Sequence, residues 1–112
     1  AEDYTDQGLD LSRHFIRHPQ ASFMMRISGD SLMGVGIRPG DYAVVDRSKE
    51  ARDGSIVVAV VDGEFTAKRY QIRSGLVELV AEHPGYPPIP WNEGCEIWGV
   101  VTSVHRDLLT SG

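Results

Sequence analysis

The sequence predicts a mostly β domain, built from antiparallel strands with one short N-terminal helix. Three observations carry this. Apolar and β-branched stretches recur about every 10–15 residues with no helical period between them, which argues hairpins over βαβ units. Residues 56–61 are apolar at every position, as in a strand covered on both faces. Asp62-Gly63 follows that run directly, and a two-residue Asp-Gly loop is the strongest short hairpin signal because both central residues need positive φ.

The elements follow in order. Residues 1–8 carry three acids and little to bury, so they read as a mobile arm, with Tyr4, Leu9 and Leu11 as possible tethers to the body or to a dimer mate. Residues 9–112 read as one domain. Residues 10–18 are the one good helix candidate: Asp10 can cap it, Leu11 and Phe15 share a face, and Pro19 ends it. Strands are expected over 22–27, 42–45, 56–61, 64–72, 76–81 and 97–104. The Pro39-Gly40-Asp41 turn introduces the second of them. Residues 83–91 hold four prolines and Gly85, and form an irregular loop anchored by Tyr86, Ile89 and Trp91.

Composition narrows the function classes. The chain has 112 residues, enough for one real core. Its longest apolar run is strand-length, so no membrane partner is expected. The single cysteine, Cys95, cannot pair internally, which fits a reducing, cytoplasmic setting. The net charge is −5 and the basic residues are scattered, which argues for protein partners and against direct specific DNA binding. Nothing in the sequence calls for a cofactor. His14 and His18 have the spacing of a zinc pair, but no third ligand or Cys pair accompanies them. His83 and His105 could build a Ser–His site, but read first as a loop histidine and a strand-end histidine; Trp91 and Trp98 could stack on bases, but read first as packing residues given the acid balance.

Two segments could carry chemistry. Gly29-Asp30-Ser31-Leu32 follows a strand and precedes Gly34 and Gly36. Glycines around a serine permit a sharp turn that lifts the hydroxyl and lets backbone N–H groups converge. A bland polar turn has the same composition. Lys68 lies on the return strand of the Asp62-Gly63 hairpin. Facing inward it would be desolvated, which favours the neutral amine and makes it a base for a serine. Facing outward it would be an ordinary solvated lysine, and alternation alone leaves the face open. The Gly-x-Ser-x-Gly elbow is absent, because Met33 takes the last glycine position.

Taken together, Ser28-Gly29-Asp30-Ser31, Gly36-Ile37-x-x-Gly40-Asp41, Asp62-Gly63-Glu64-Phe65-Thr66-x-Lys68, and the stretch through Glu78-Leu79 to Trp98-Gly99-Val100-Val101 resemble the LexA/UmuD peptidase family. Asp3-Tyr4, Leu9-Asp10-Leu11 and His18-Pro19 resemble its UmuD branch. Leu32 and Ala67 stand where the family usually has methionine and valine. The resemblance implies a LexA/signal-peptidase-like fold of coiled antiparallel sheets. It implies Ser31 as nucleophile, Lys68 as general base, and the backbone N–H groups of Asp30 and Ser31 as the oxyanion hole. The family cuts its own chain at Ala-Gly or Cys-Gly, upstream of the serine, and neither dipeptide occurs here. The chain starts at Ala1, so the resemblance leads us to expect the processed form. It further implies a homodimer, cleavage stimulated by a RecA filament on single-stranded DNA, and partnership with a UmuC-type Y-family DNA polymerase in the SOS response. Two other readings stay open. One is the C-terminal autocleavage and dimerisation domain of a LexA-like or phage repressor. The other is a non-catalytic protein-binding β module, which predicts a solvent-facing Lys68.

Overall fold

The computed structural model describes residues 10–109; the arm expected over residues 1–8 lies outside them, as do Tyr4 and Leu9. The helix α1 spans Leu11–Phe15, and the side chain of Asp10 accepts from the Arg13 N–H at its start. It is shorter than the 10–18 expected. Ile16 is already extended, and a 3-10 turn at Pro19–Ala21 redirects the chain. With one turn and a half, the helix buries almost nothing: Leu11 remains 64% exposed. Phe15 packs edge-on against the ring of His105.

The strands are β1 (Ser22–Arg26), β2 (Tyr42–Asp46), β3 (Ile56–Val61), β4 (Glu64–Arg73), β5 (Leu76–Val80), β6 (Ile89–Pro90) and β7 (Cys95–His105). They form one antiparallel sheet in the order β1-β2-β7-β3-β4-β5-β6. The mostly β, antiparallel architecture expected from the sequence is therefore the one found. β6 is an addition to it: two residues inside the proline-rich loop pair with β5, Ile89 opposite Leu79. The β3–β4 turn adopts the conformation its Asp-Gly sequence demands, with Asp62 at φ 51° and Gly63 at φ 86°.

β7 is the longest strand, and it is bent twice. Its ladder to β3 skips Trp98, and its ladder to β2 skips Thr102. Each extra residue bends the strand and raises the local twist, which coils the sheet. The apolar run of β3 sits at the middle and is covered on both faces. Val57 and Ala59 pack with Leu79 and Val100, while Val58 packs with Ala43 and Val45. Each fully buried aliphatic side chain stabilises the fold by about 1.5–3 kcal/mol.

Candidate active site

β1 delivers the serine turn. The Ile27 N–H bonds the Asp41 carbonyl and the Gly40 N–H returns to the Ile27 carbonyl, so the chain leaves the sheet anchored on the Pro39-Gly40-Asp41 turn. A single turn of 3-10 helix, Met33–Val35, closes the segment, and Gly36 ends it in the left-handed region at φ 85°. Gly29, expected to supply the sharp bend, does not take a left-handed φ. The glycine the turn needs for space is Gly34. Its N–H donates to the Glu82 carbonyl at 2.7 Å, and a Cβ there would lie 2.5 Å from that oxygen. The Glu82 N–H returns to the Ser31 carbonyl at 2.6 Å. The serine turn and the loop after β5 are thus stitched together at Ser31 and again at Gly34.

β4 delivers the lysine. Lys68 is 6% exposed and Ser31 9%, so both polar groups are taken from water. The Lys68 Nζ lies 3.2 Å from the Ser31 Oγ and 2.8 Å from the Thr66 Oγ1. The Ser31 hydroxyl also reaches the Ala67 carbonyl at 3.2 Å. Burial pushes the Lys68 amine below its ordinary value, because the charged form loses its hydration. The solvent-facing lysine expected of a non-catalytic module is not what the chain contains.

The arrangement supports two hydrogen-bond patterns without heavy-atom motion. With the amine charged, Lys68 donates to Ser31 and to Thr66, and the serine hydroxyl points at the Ala67 carbonyl. With the amine neutral, the hydroxyl hydrogen rotates onto the free lone pair of Nζ. The separation is at the long end of proton-transfer reach. Of the two N–H groups expected to hold an oxyanion, that of Ser31 has no hydrogen-bond partner among the described residues.

Serine and lysine line a cleft of about 290 Å³ with Met25, Ile27, Leu32, Phe65 and Tyr86. Its walls are mainly apolar, so a peptide held there would keep water away from the amine. Tyr86 and Thr66 are the two contacts that sequence reasoning did not single out for chemistry. The Tyr86 ring centroid is 5.2 Å from Nζ, and its hydroxyl donates to Asp30 Oδ1 at 2.5 Å. That bond, with help from nearby His83, holds the Asp30 carboxyl below its ordinary value and raises the Tyr86 hydroxyl.

The other candidates fall elsewhere. His83 sits on the rim, its Nε2 3.8 Å from Asp30 Oδ2 rather than against Ser31. His105 bonds Ser103 at the end of β7. His18 bonds Asp46 at 2.6 Å; the helix ends at Phe15, so His14 and His18 do not share a helical face. Among the described residues no group of three or more metal-ligating side chains comes together. Trp98 packs with Phe23 and Phe65 under Arg47, and Trp91 against Tyr70. No helix among the described residues is long and apolar enough to cross a membrane.

Residues 1–102 match the family described as Peptidase S24-like. Protein SamA of Salmonella typhimurium is 42% identical over 111 residues, 98% of this chain and 78% of that protein. Protein MucA of Escherichia coli is 45% identical over 104 residues, 91% of this chain and 71% of that protein. A LexA repressor from a Shewanella species is 40% identical over 93 residues, 80% of this chain but only 45% of the repressor. On a family match that runs over most of its length, the chain belongs to the Peptidase S24-like family.

Proposed function

We propose that the chain is a Ser–Lys peptidase domain, spanning residues 9–112, with Ser31 as nucleophile and Lys68 as general base. The observation that carries this reading is the buried Lys68 amine 3.2 Å from the Ser31 hydroxyl, in a cleft with apolar walls. Neutral Nζ takes the hydroxyl proton as Oγ attacks a peptide carbonyl. The negative charge on the carbonyl oxygen is held by the backbone N–H groups of Ser31 and Asp30. The ammonium then gives its proton to the leaving amine, and an acyl-serine remains. Lys68 next takes a proton from water as the water oxygen attacks the ester, and passes that proton to the serine oxygen as the acyl–oxygen bond breaks, which restores Ser31 and the neutral amine. Thr66 accepts one amine hydrogen throughout and so fixes where the lone pair points.

The proposed biology follows the family resemblance. The bond cut is an Ala-Gly or Cys-Gly outside these 112 residues, where neither dipeptide occurs. Cleavage is stimulated by RecA on single-stranded DNA, and the product acts as a cytoplasmic homodimer with a UmuC-type translesion polymerase. A second reading is favoured by the LexA repressor similarity: the same chemistry serving the self-cleaving, dimerising part of a repressor.

The test is to place a segment carrying an Ala-Gly bond ahead of Ala1 and follow its loss at neutral pH. Cleavage is expected, with a fall of about 10²-fold or more in Ser31→Ala and in Lys68→Ala, the range for removing a general base. Cleavage by Lys68→Ala at the parent rate would remove lysine from the mechanism.

A further inference from the structure

We infer that Tyr86 is a positioning residue: its ring, tied to Asp30, closes over the Lys68 amine and keeps water from it. The inference deepens the proposed function and rests on reading Lys68 as the base. The geometry has three parts. The ring lies over Nζ, with its centroid 5.2 Å away. The hydroxyl is fastened to Asp30, the residue next to the nucleophile. The loop that carries the ring is pinned at its root, where Glu82 exchanges backbone bonds with Ser31 and Gly34, and again where Ile89 pairs into the sheet. Tyr86 is 41% exposed, so it stands between the amine and bulk water.

Two effects of the ring oppose one another. An aromatic face attracts an ammonium by about 0.5–2 kcal/mol. Excluding water from a charged group costs several kcal/mol, even after relaxation. Exclusion wins, and the neutral amine is favoured, in line with the direction in which burial moves Lys68. The tie to Asp30 adds a second contribution. Held by Tyr86 and flanked by His83, the carboxylate is kept off the amine, where it would otherwise favour the charged form.

The other charged groups nearby are occupied. Arg69, next along β4, bonds Glu82 and the Gly54 carbonyl, and Arg26 at the end of β1 lies over the ring of Tyr42. Among the described residues no carboxylate forms an ion pair with Lys68.

The chain has two lysines, Lys49 and Lys68, so a side-chain NMR titration can follow Lys68 on its own. In Tyr86→Ala the Lys68 titration is expected to rise toward the ordinary lysine value of 10.5 by about one pH unit or more, as rehydration of the amine requires. Tyr86→Phe, which keeps the ring and cuts the tie to Asp30, is expected to move it part of the way, and it serves if the alanine variant does not fold. In parallel, the pH dependence of Ser31 modification by a fluorophosphonate should shift by the same amount. An unmoved Lys68 titration in folded variants overturns the role of Tyr86. A Lys68 that moves while Ser31 reactivity ignores it instead overturns the base assignment, so the two failures are distinct.

Discussion

Lys68 stands directly across the β3–β4 ladder from Val57, a fully buried residue, and so projects from the same face of the sheet. A charged side chain at that register costs stability, and its proximity to Ser31 is what the cost supports. Replacing it by methionine, of similar length and apolar, is expected to leave stability equal or higher at pH 7 while lowering serine reactivity about 10²-fold. Thermal unfolding of Lys68→Met against the parent checks the first half. A Tm that falls by many degrees would mean that the amine is held by stabilising contacts instead.

The same burial sets a pH dependence of stability. The folded-state value of Lys68 lies below its ordinary 10.5, so across that interval the folded chain binds fewer protons than the unfolded one. Stability relative to Lys68→Met is therefore lowest below the folded value and rises with pH until about 10.5. Denaturant titrations of the two chains between pH 6 and about 10 measure this difference directly.

At the acid end stability again rises with pH, but there the charged form is the one the fold stabilises. Two hydrogen bonds from Arg106 hold the buried Asp41 carboxyl down to about 2, outweighing the opposing effect of burial. Burial works to raise Asp46, but the Ser48 hydroxyl and N–H and the His18 ring bring it to about 2 as well. Both contributions are complete above the ordinary 3.8 and are lost as pH falls through about 2. Asp41→Asn should remove the first of them and lower stability at neutral pH by roughly 1–3 kcal/mol. Acid titrations of parent and variant followed by circular dichroism check both statements.

Gly34→Ala tests the stitching of the serine turn. The new methyl would meet the Glu82 carbonyl, so the turn must shift away from the loop after β5. The expected cost is about 1–3 kcal/mol, with a loss of Ser31 reactivity larger than stability alone explains. Urea unfolding and fluorophosphonate labelling of the same sample separate the two.

Ser74→Asn is expected to stabilise. Ser74 opens the two-residue β4–β5 turn at φ 53°, a left-handed conformation that asparagine adopts more readily than serine. The gain is a few tenths of a kcal/mol to about 1 kcal/mol, read from denaturant midpoints.

Much of this was legible in the residues. The Asp62-Gly63 loop fixes the hairpin register, and that register alone puts position 68 opposite position 57. It does not fix the environment of the lysine, because β3 is apolar at every position and offers no polar face to contrast with a buried one. What encloses Lys68 is a loop whose Tyr86 bonds Asp30, 56 residues earlier in the chain, a contact no local pattern encodes. Tyr86 was recognisable only as an apolar anchor. The helix came out shorter than its capping signal suggested, since Leu11 and Phe15 find no core to bury against. Of the two irregularities of β7, the one at Trp98 is flanked by Gly99, a strand-interior glycine that marks a bulge, whereas the one at Thr102 has no such residue beside it.

The most direct measurement is the rate at which a fluorophosphonate modifies Ser31, followed from pH 6 to about 10 in the parent chain and in Lys68→Met. The account predicts a rate in the parent that climbs with pH as Lys68 loses its proton, and a rate about 10²-fold lower in the variant at neutral pH. Equal rates in the two chains, with the same pH dependence, would contradict it.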